Sequence, residues 1–63
     1  MPYIQLRVAG KLNPDQKKAI AKEFADTLER IAQKPKNHTY LVIEEVDRDN
    51  WAIGEEFLSE TAS

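Results

Sequence analysis

The stretch YIQLRVAGKLNPDQ, residues 3–16, carries the two patterns that decide the fold. In its first half, apolar side chains alternate with polar or aromatic ones, and Ile4, Leu6 and Val8 form the apolar set. A period of two places these three side chains on one face of an extended chain. The pattern therefore predicts a half-buried β-strand over residues 3–9.

The second half of the stretch has the features of a helix N-terminus. Asn13 can cap a helix, and Pro14 suits the first helical position because its missing N–H needs no partner there. Gln16 lies where its side chain can close a capping box with Asn13. Apolar residues then recur at helical spacing, which predicts an amphipathic helix ending near Gln33. These residues are Ile20, Phe24, Leu28 and Ile31.

A second strand is predicted after the helix. Pro35 ends the helical pattern because it pushes its predecessor out of helical geometry. Residues 39–46, TYLVIEEV, are rich in β-branched and aromatic side chains, which favour strands. Leu41 and Ile43 fall on one face of this strand. The acidic run at residues 44–47 predicts a solvated strand end.

The C-terminal part gives a weaker signal. Residues 47–50 indicate a turn, and residues 51–54 a short extended piece that ends at a glycine. Residues 55–63 favour neither helix nor strand. We expect a short hairpin or extended piece in this C-terminal part of the chain.

Strand, helix and strand in this order predict an α/β fold, a single β-α-β unit with parallel strands. One helix covers only one face of the sheet, whereas parallel sheets normally have both faces covered. The 63 residues fit a single domain, residues 1–63. For so short a chain, the free energy of folding as a lone monomer is near zero. We therefore expect a homo-oligomer whose other subunits cover the open face.

The composition argues against several classes of protein. The net charge is −2 and the basic residues are scattered, so nucleic-acid binding is not expected. No long apolar run and no signal-peptide pattern occurs, which predicts a cytoplasmic protein without membrane association. The chain has no cysteine and one histidine, His38, so we expect neither a disulfide nor a metal site.

Two segments together resemble one known family. They are the N-terminal MPYI, residues 1–4, and IEEVDRDNWAIG, residues 43–54. The chain resembles the 4-oxalocrotonate tautomerases from Pro2 to about Glu56, above all the branch with an Asp-Asn-Trp-Gly-Ile-Gly motif. Ala52 replaces the first glycine of that motif.

The resemblance implies a catalytic proline. In this family the initiator Met1 is removed and the exposed amine of Pro2 acts as general base, moving a proton between oxygen and carbon of an enol. A free α-amino group has a pKa of roughly 8, which an apolar pocket with nearby cations lowers toward the working pH. If Met1 remains, the nitrogen of Pro2 is an amide without a basic lone pair.

The resemblance also implies residues that bind the substrate. Family members use two arginines, and Leu12 and Tyr40 occupy those positions here. Lys11, next to the first position, is a candidate to supply the charge, although it lacks the guanidinium fork. Tyr40 has only a neutral hydrogen bond to offer, and Arg7 on the first strand is a further candidate. Trp51 stands where the family has an aromatic wall that excludes water.

The sequence thus favours a cofactor-free keto-enol tautomerase acting on small 2-oxo acids or their enols. By resemblance it forms a homohexamer with a dimer as building block. One alternative is a catalytically weak or inactive oligomer with a binding or structural role. Another is hydratase or decarboxylase chemistry by the same amine.

Overall fold

Two parallel strands and one helix form the body of the molecule in the computed structural model, which describes residues 1–60. Strand β1 spans Tyr3–Ala9, helix α1 spans Pro14–Ala32 and strand β2 spans Tyr40–Val46. The predicted β-α-β order and the parallel pairing are confirmed. The second strand begins at Tyr40, one residue later than predicted, because Thr39 closes a short 3-10 turn over Lys36–His38.

The helix begins with the capping box that the sequence predicts. Asn13 Oδ1 accepts the backbone N–H of Gln16 at 2.8 Å, and the backbone N–H of Asn13 donates to Gln16 Oε1 at 3.0 Å. At the other end, Gln33 adopts a left-handed conformation, and its N–H donates to the carbonyl of Glu29 at 3.2 Å. These contacts satisfy backbone groups that have no partner inside the helix.

The sheet register separates an apolar face from an open face. Ile4 pairs with Leu41 and Leu6 with Ile43, so the apolar sets of both strands share one face. The opposite face carries Tyr3, Gln5 and Arg7 from β1 and Tyr40, Val42 and Glu44 from β2.

A small hairpin follows the sheet. Strand β3, Ala52–Ile53, pairs with strand β4, Glu56–Phe57, in antiparallel fashion. Gly54 starts the connecting turn with a φ of 65°, a conformation that favours glycine. This confirms the hairpin. The ambiguous segment also contains a 3-10 turn at Leu58–Glu60, and residues 61–63 lie outside the described residues.

The helix is tied to the turn after it by charged side chains. Asp26 accepts Lys22 Nζ at 2.7 Å and Lys36 Nζ at 2.8 Å. These two ammonium groups lower the pKa of Asp26 to about 2, with Lys22 as the larger cause.

The single chain encloses little hydrophobic core. None of the described side chains is fully buried. No described helix is long and apolar enough to cross a membrane.

Candidate functional site

The proline predicted as general base lies at the start of the sheet. The carbonyl of Pro2 accepts the backbone N–H of Tyr40 at 2.9 Å, which extends the parallel ladder by one bond. Pro2 is half-buried, whereas Met1 is 86% exposed. Met1, whose removal the predicted role of Pro2 requires, therefore contributes little packing, while Pro2 itself is held by β2.

Two other predicted site residues share a groove on the open face. Arg7 projects from β1, and Trp51 lies between the turn after β2 and the hairpin. The groove has a volume of about 530 Å³. Its lining consists of Arg7, Glu44, Val46, Asn50, Trp51 and Ala52. We call it the Arg7–Trp51 groove.

Glu44 holds Arg7 within this groove. Arg7 Nη2 lies 3.1 Å from Glu44 Oε1, and Gln5 Nε2 donates to the same carboxylate oxygen. The hydrogen bond from Gln5, followed by that from Arg7, lowers the pKa of Glu44. The groove therefore contains a cation and an anion side by side.

Lys11 lies on the loop between β1 and α1, and Glu45 anchors that loop. Glu45 Oε2 accepts the backbone N–H of Leu12 at 2.7 Å, and Oε1 accepts Lys17 Nζ at 3.0 Å. These contacts lower the pKa of Glu45, and the Leu12 N–H is the larger cause. Gly10 N–H also donates to the carbonyl of Val46 at 2.8 Å. Lys11 is thus an exposed cation on a fixed backbone.

Within one chain the predicted residues are not all brought together. A strand rises about 3.3 Å per residue, which puts Arg7 about 16 Å from Pro2 along β1, and Lys11 farther still. Tyr40 is hydrogen-bonded to Pro2, and Arg7 and Trp51 line the same groove. A substrate of a few carbons cannot bridge these distances. A site that uses Pro2 together with Lys11, Arg7 or Trp51 must therefore combine different subunits.

Sequence reasoning did not find the contact of Glu44 with Arg7 or that of Glu45 with the loop that carries Lys11. It predicted a solvated strand end, but Glu44 and Glu45 each accept two hydrogen bonds. The available signal was that alternation puts Glu44 on the face of Arg7 and Glu45 on the face of the helix. Their partners depend on the strand register, which the sequence does not state.

A second groove, of about 340 Å³, lies between α1 and the sheet. Its floor is apolar, with Ile4, Ala21 and Leu41 among its lining residues, and none of the predicted site residues lines it. Across residues 1–60 there is no group of three or more His, Asp or Glu side chains that could hold a metal ion.

The chain is similar to known proteins in both sequence and fold. A model of the family described as "Tautomerase enzyme" matches residues 2–61. A probable tautomerase of Listeria innocua is 26% identical over 54 residues, covering 86% of this chain and 88% of the relative.

Solved structures agree with the fold. DmpI from Helicobacter pylori superposes with a TM-score of 0.83 at 23% identity, covering 92% of this chain and 91% of the other. A heterohexameric 4-oxalocrotonate tautomerase from Chloroflexus aurantiacus gives a TM-score of 0.87 at 19% identity, covering 98% of this chain and 100% of the other. The resemblance to the 4-oxalocrotonate tautomerases seen in the sequence is confirmed.

Proposed function

The chain belongs to the tautomerase enzyme family, and we propose that it is a cofactor-free keto-enol tautomerase acting on small 2-oxo acids or their enols. The position of Pro2 carries the proposal. It directly precedes β1, is held by the N–H of Tyr40, and follows the exposed Met1.

In the proposed reaction, the amine of Pro2 is the proton carrier once Met1 has been removed. Its lone pair takes the proton of the enol hydroxyl, and the C=O bond forms. The electron pair of the C=C bond then takes that proton at carbon, so the amine is regenerated and no cofactor is needed. Apolar walls such as Trp51 favour the neutral, basic amine.

Cationic side chains hold the substrate carboxylate in this proposal. Arg7 shares its groove with Trp51, and Lys11 lies on an anchored loop. Tyr40 lies beside Pro2 and offers a neutral hydrogen bond to the substrate. Because these groups are far apart in one chain, the working site combines neighbouring subunits.

We propose that those subunits form a homohexamer built from dimers. The open face of the sheet and the absence of a buried core within residues 1–60 support this assembly. The heterohexameric relative from Chloroflexus aurantiacus shows that the fold occurs in a six-subunit assembly.

The decisive experiment combines intact mass with the substitution Pro2→Ala. Mass spectrometry establishes whether Met1 is absent. With Met1 absent, we expect Pro2→Ala to lower the turnover of phenylenolpyruvate by about a hundredfold, the lower end of what a positioned general base contributes. The oligomer should remain intact by sedimentation.

Pro35→Ala is the matched control, since it makes the same change in the turn after α1 and should leave the rate unchanged. Full activity of the Pro2→Ala protein would refute the proposal. Retention of Met1, together with absence of turnover, would favour the non-catalytic oligomer.

A further inference from the structure

The Arg7–Trp51 groove contains a carboxylate that the proposed reaction does not use. Glu44 lines the groove beside Arg7, and its Oε1 accepts hydrogen bonds from both Arg7 and Gln5. Its Oε2 has no hydrogen-bond partner within residues 1–60. One oxygen is therefore engaged in holding Arg7, while the other leaves negative charge at the groove.

We propose that Glu44 is a specificity-determining residue that admits monocarboxylate substrates to the groove and disfavours dicarboxylates. This inference rests on the proposed function, because it assumes that substrate enters the Arg7–Trp51 groove.

The charges along the groove support this role. Arg7 and Glu44 are its only charged lining residues among the described part of the chain, and their charges cancel. A guanidinium has five N–H donors, so Arg7 can bind Glu44 and still hold one carboxylate. A second carboxylate finds no second cation in the lining and is repelled by Glu44. Beside the apolar surface of Trp51, this repulsion is screened less than in bulk water.

Glu44 remains ionised under the conditions in which a tautomerase would work. Its hydrogen bonds from Gln5 and Arg7 favour the carboxylate and lower its pKa. The repulsion is therefore present throughout the neutral range.

The test removes the charge while retaining the hydrogen-bond acceptor. In Glu44→Gln, the amide oxygen can still accept from Arg7 and Gln5, so the contact between β1 and β2 is kept. We expect the ratio of kcat/KM for 2-hydroxymuconate to that for phenylenolpyruvate to rise about five- to tenfold, as removal of a nearby like charge predicts. Glu23→Gln, an exposed position on α1, makes the same change in net charge and should leave the ratio unchanged.

A binding measurement separates this inference from the proposed function. Sorbate and muconate share a six-carbon diene skeleton and differ in having one or two carboxylates. Their affinities can be followed through the fluorescence of Trp51, the only tryptophan. We expect the unmodified protein to prefer sorbate and Glu44→Gln to lose the part of that preference that comes from repulsion by Glu44.

The binding and turnover measurements distinguish failure of this inference from failure of the proposed function. If the binding preference shifts in Glu44→Gln but neither enol is turned over, the inference holds and the proposed function fails. If the preference is unchanged in Glu44→Gln, the inference is overturned, whether or not the protein is active.

If Glu44→Gln does not fold, the inference can be tested on the unmodified protein. Added salt screens the repulsion, so the muconate-to-sorbate affinity ratio should rise with ionic strength. A ratio that does not rise with salt would overturn the inference.

Discussion

In the proposed site, Lys11 lies next to the first of the two positions where the resemblance implies arginine, and Tyr40 occupies the second. At these two positions a monocarboxylate enol needs one cation, which Lys11 can provide, whereas a dicarboxylate needs two. A hydrogen bond to a charged group contributes about 1.5–3 kcal/mol, so its loss in the transition state lowers the rate roughly ten- to a hundredfold. We expect Lys11→Ala to lower kcat/KM on phenylenolpyruvate by that factor, and Tyr40→Arg to restore part of the activity on 2-hydroxymuconate.

Lys18→Ala, an exposed lysine on α1, is the control and should have no effect on either substrate. The measurement is steady-state kinetics of each variant on both enols. Equal kcat/KM of the unmodified protein on the two substrate classes would contradict the charge argument.

For a single residue, the sequence predicts the face of the strand that it occupies better than it predicts its hydrogen-bond or ion-pair partner. Alternation correctly separates Glu44 from Glu45. That Glu44 meets Arg7 follows from the parallel register, which pairs these two residues across β1 and β2. That register is set by the path of the whole crossover, so local patterns do not reveal it.

Helix α1 depends on its N-terminal cap. Asn13 satisfies the N–H of Gln16, and Gln16 returns a bond to Asn13. We expect Asn13→Ala to lower the free energy of unfolding by about 1 kcal/mol, the usual effect of losing such a cap. Urea unfolding of both proteins at one protein concentration measures this, since the stability of an oligomer depends on concentration.

Asn37→Ala is the matched control for that substitution. Asn37 lies in the 3-10 turn after α1, where the structure shows no side-chain cap. An equal loss of stability in both variants would mean that the capping box has no particular role.

The accuracy of the predicted elements follows from their length. Helix α1 and strand β1 are long enough for their periods to appear several times, and their bounds were predictable within about one residue. The strands of the C-terminal hairpin have two residues each, so no period can show. Gly54 at a φ of 65° and the pairing of Ala52 with Phe57 define that hairpin, and only the glycine is visible in the sequence.

The shape of the single chain is more extended than that of a compact domain. Its radius of gyration is 14.7 Å, whereas a compact chain of this length has about 11 Å. Large apolar or aromatic side chains are exposed on two surfaces, with Tyr3 at 60% on the open face and Ile53 at 73% on the hairpin. An extended chain with no fully buried side chain among residues 1–60 has little to offset the conformational entropy of folding.

We therefore predict that the folded protein is a stable homo-oligomer. Sedimentation at micromolar concentration should give a species several times heavier than the 7.2 kDa chain, six times for the proposed hexamer. Val42→Lys places a charge in the middle of the open face and should dissociate and unfold the assembly, because burying an unpaired ammonium is strongly unfavourable. Ala19→Lys, on the exposed side of α1, adds the same charge and should leave the assembly intact. A folded monomer would show that one helix is enough to stabilise this sheet, and the requirement for a site shared between subunits would then fail with it.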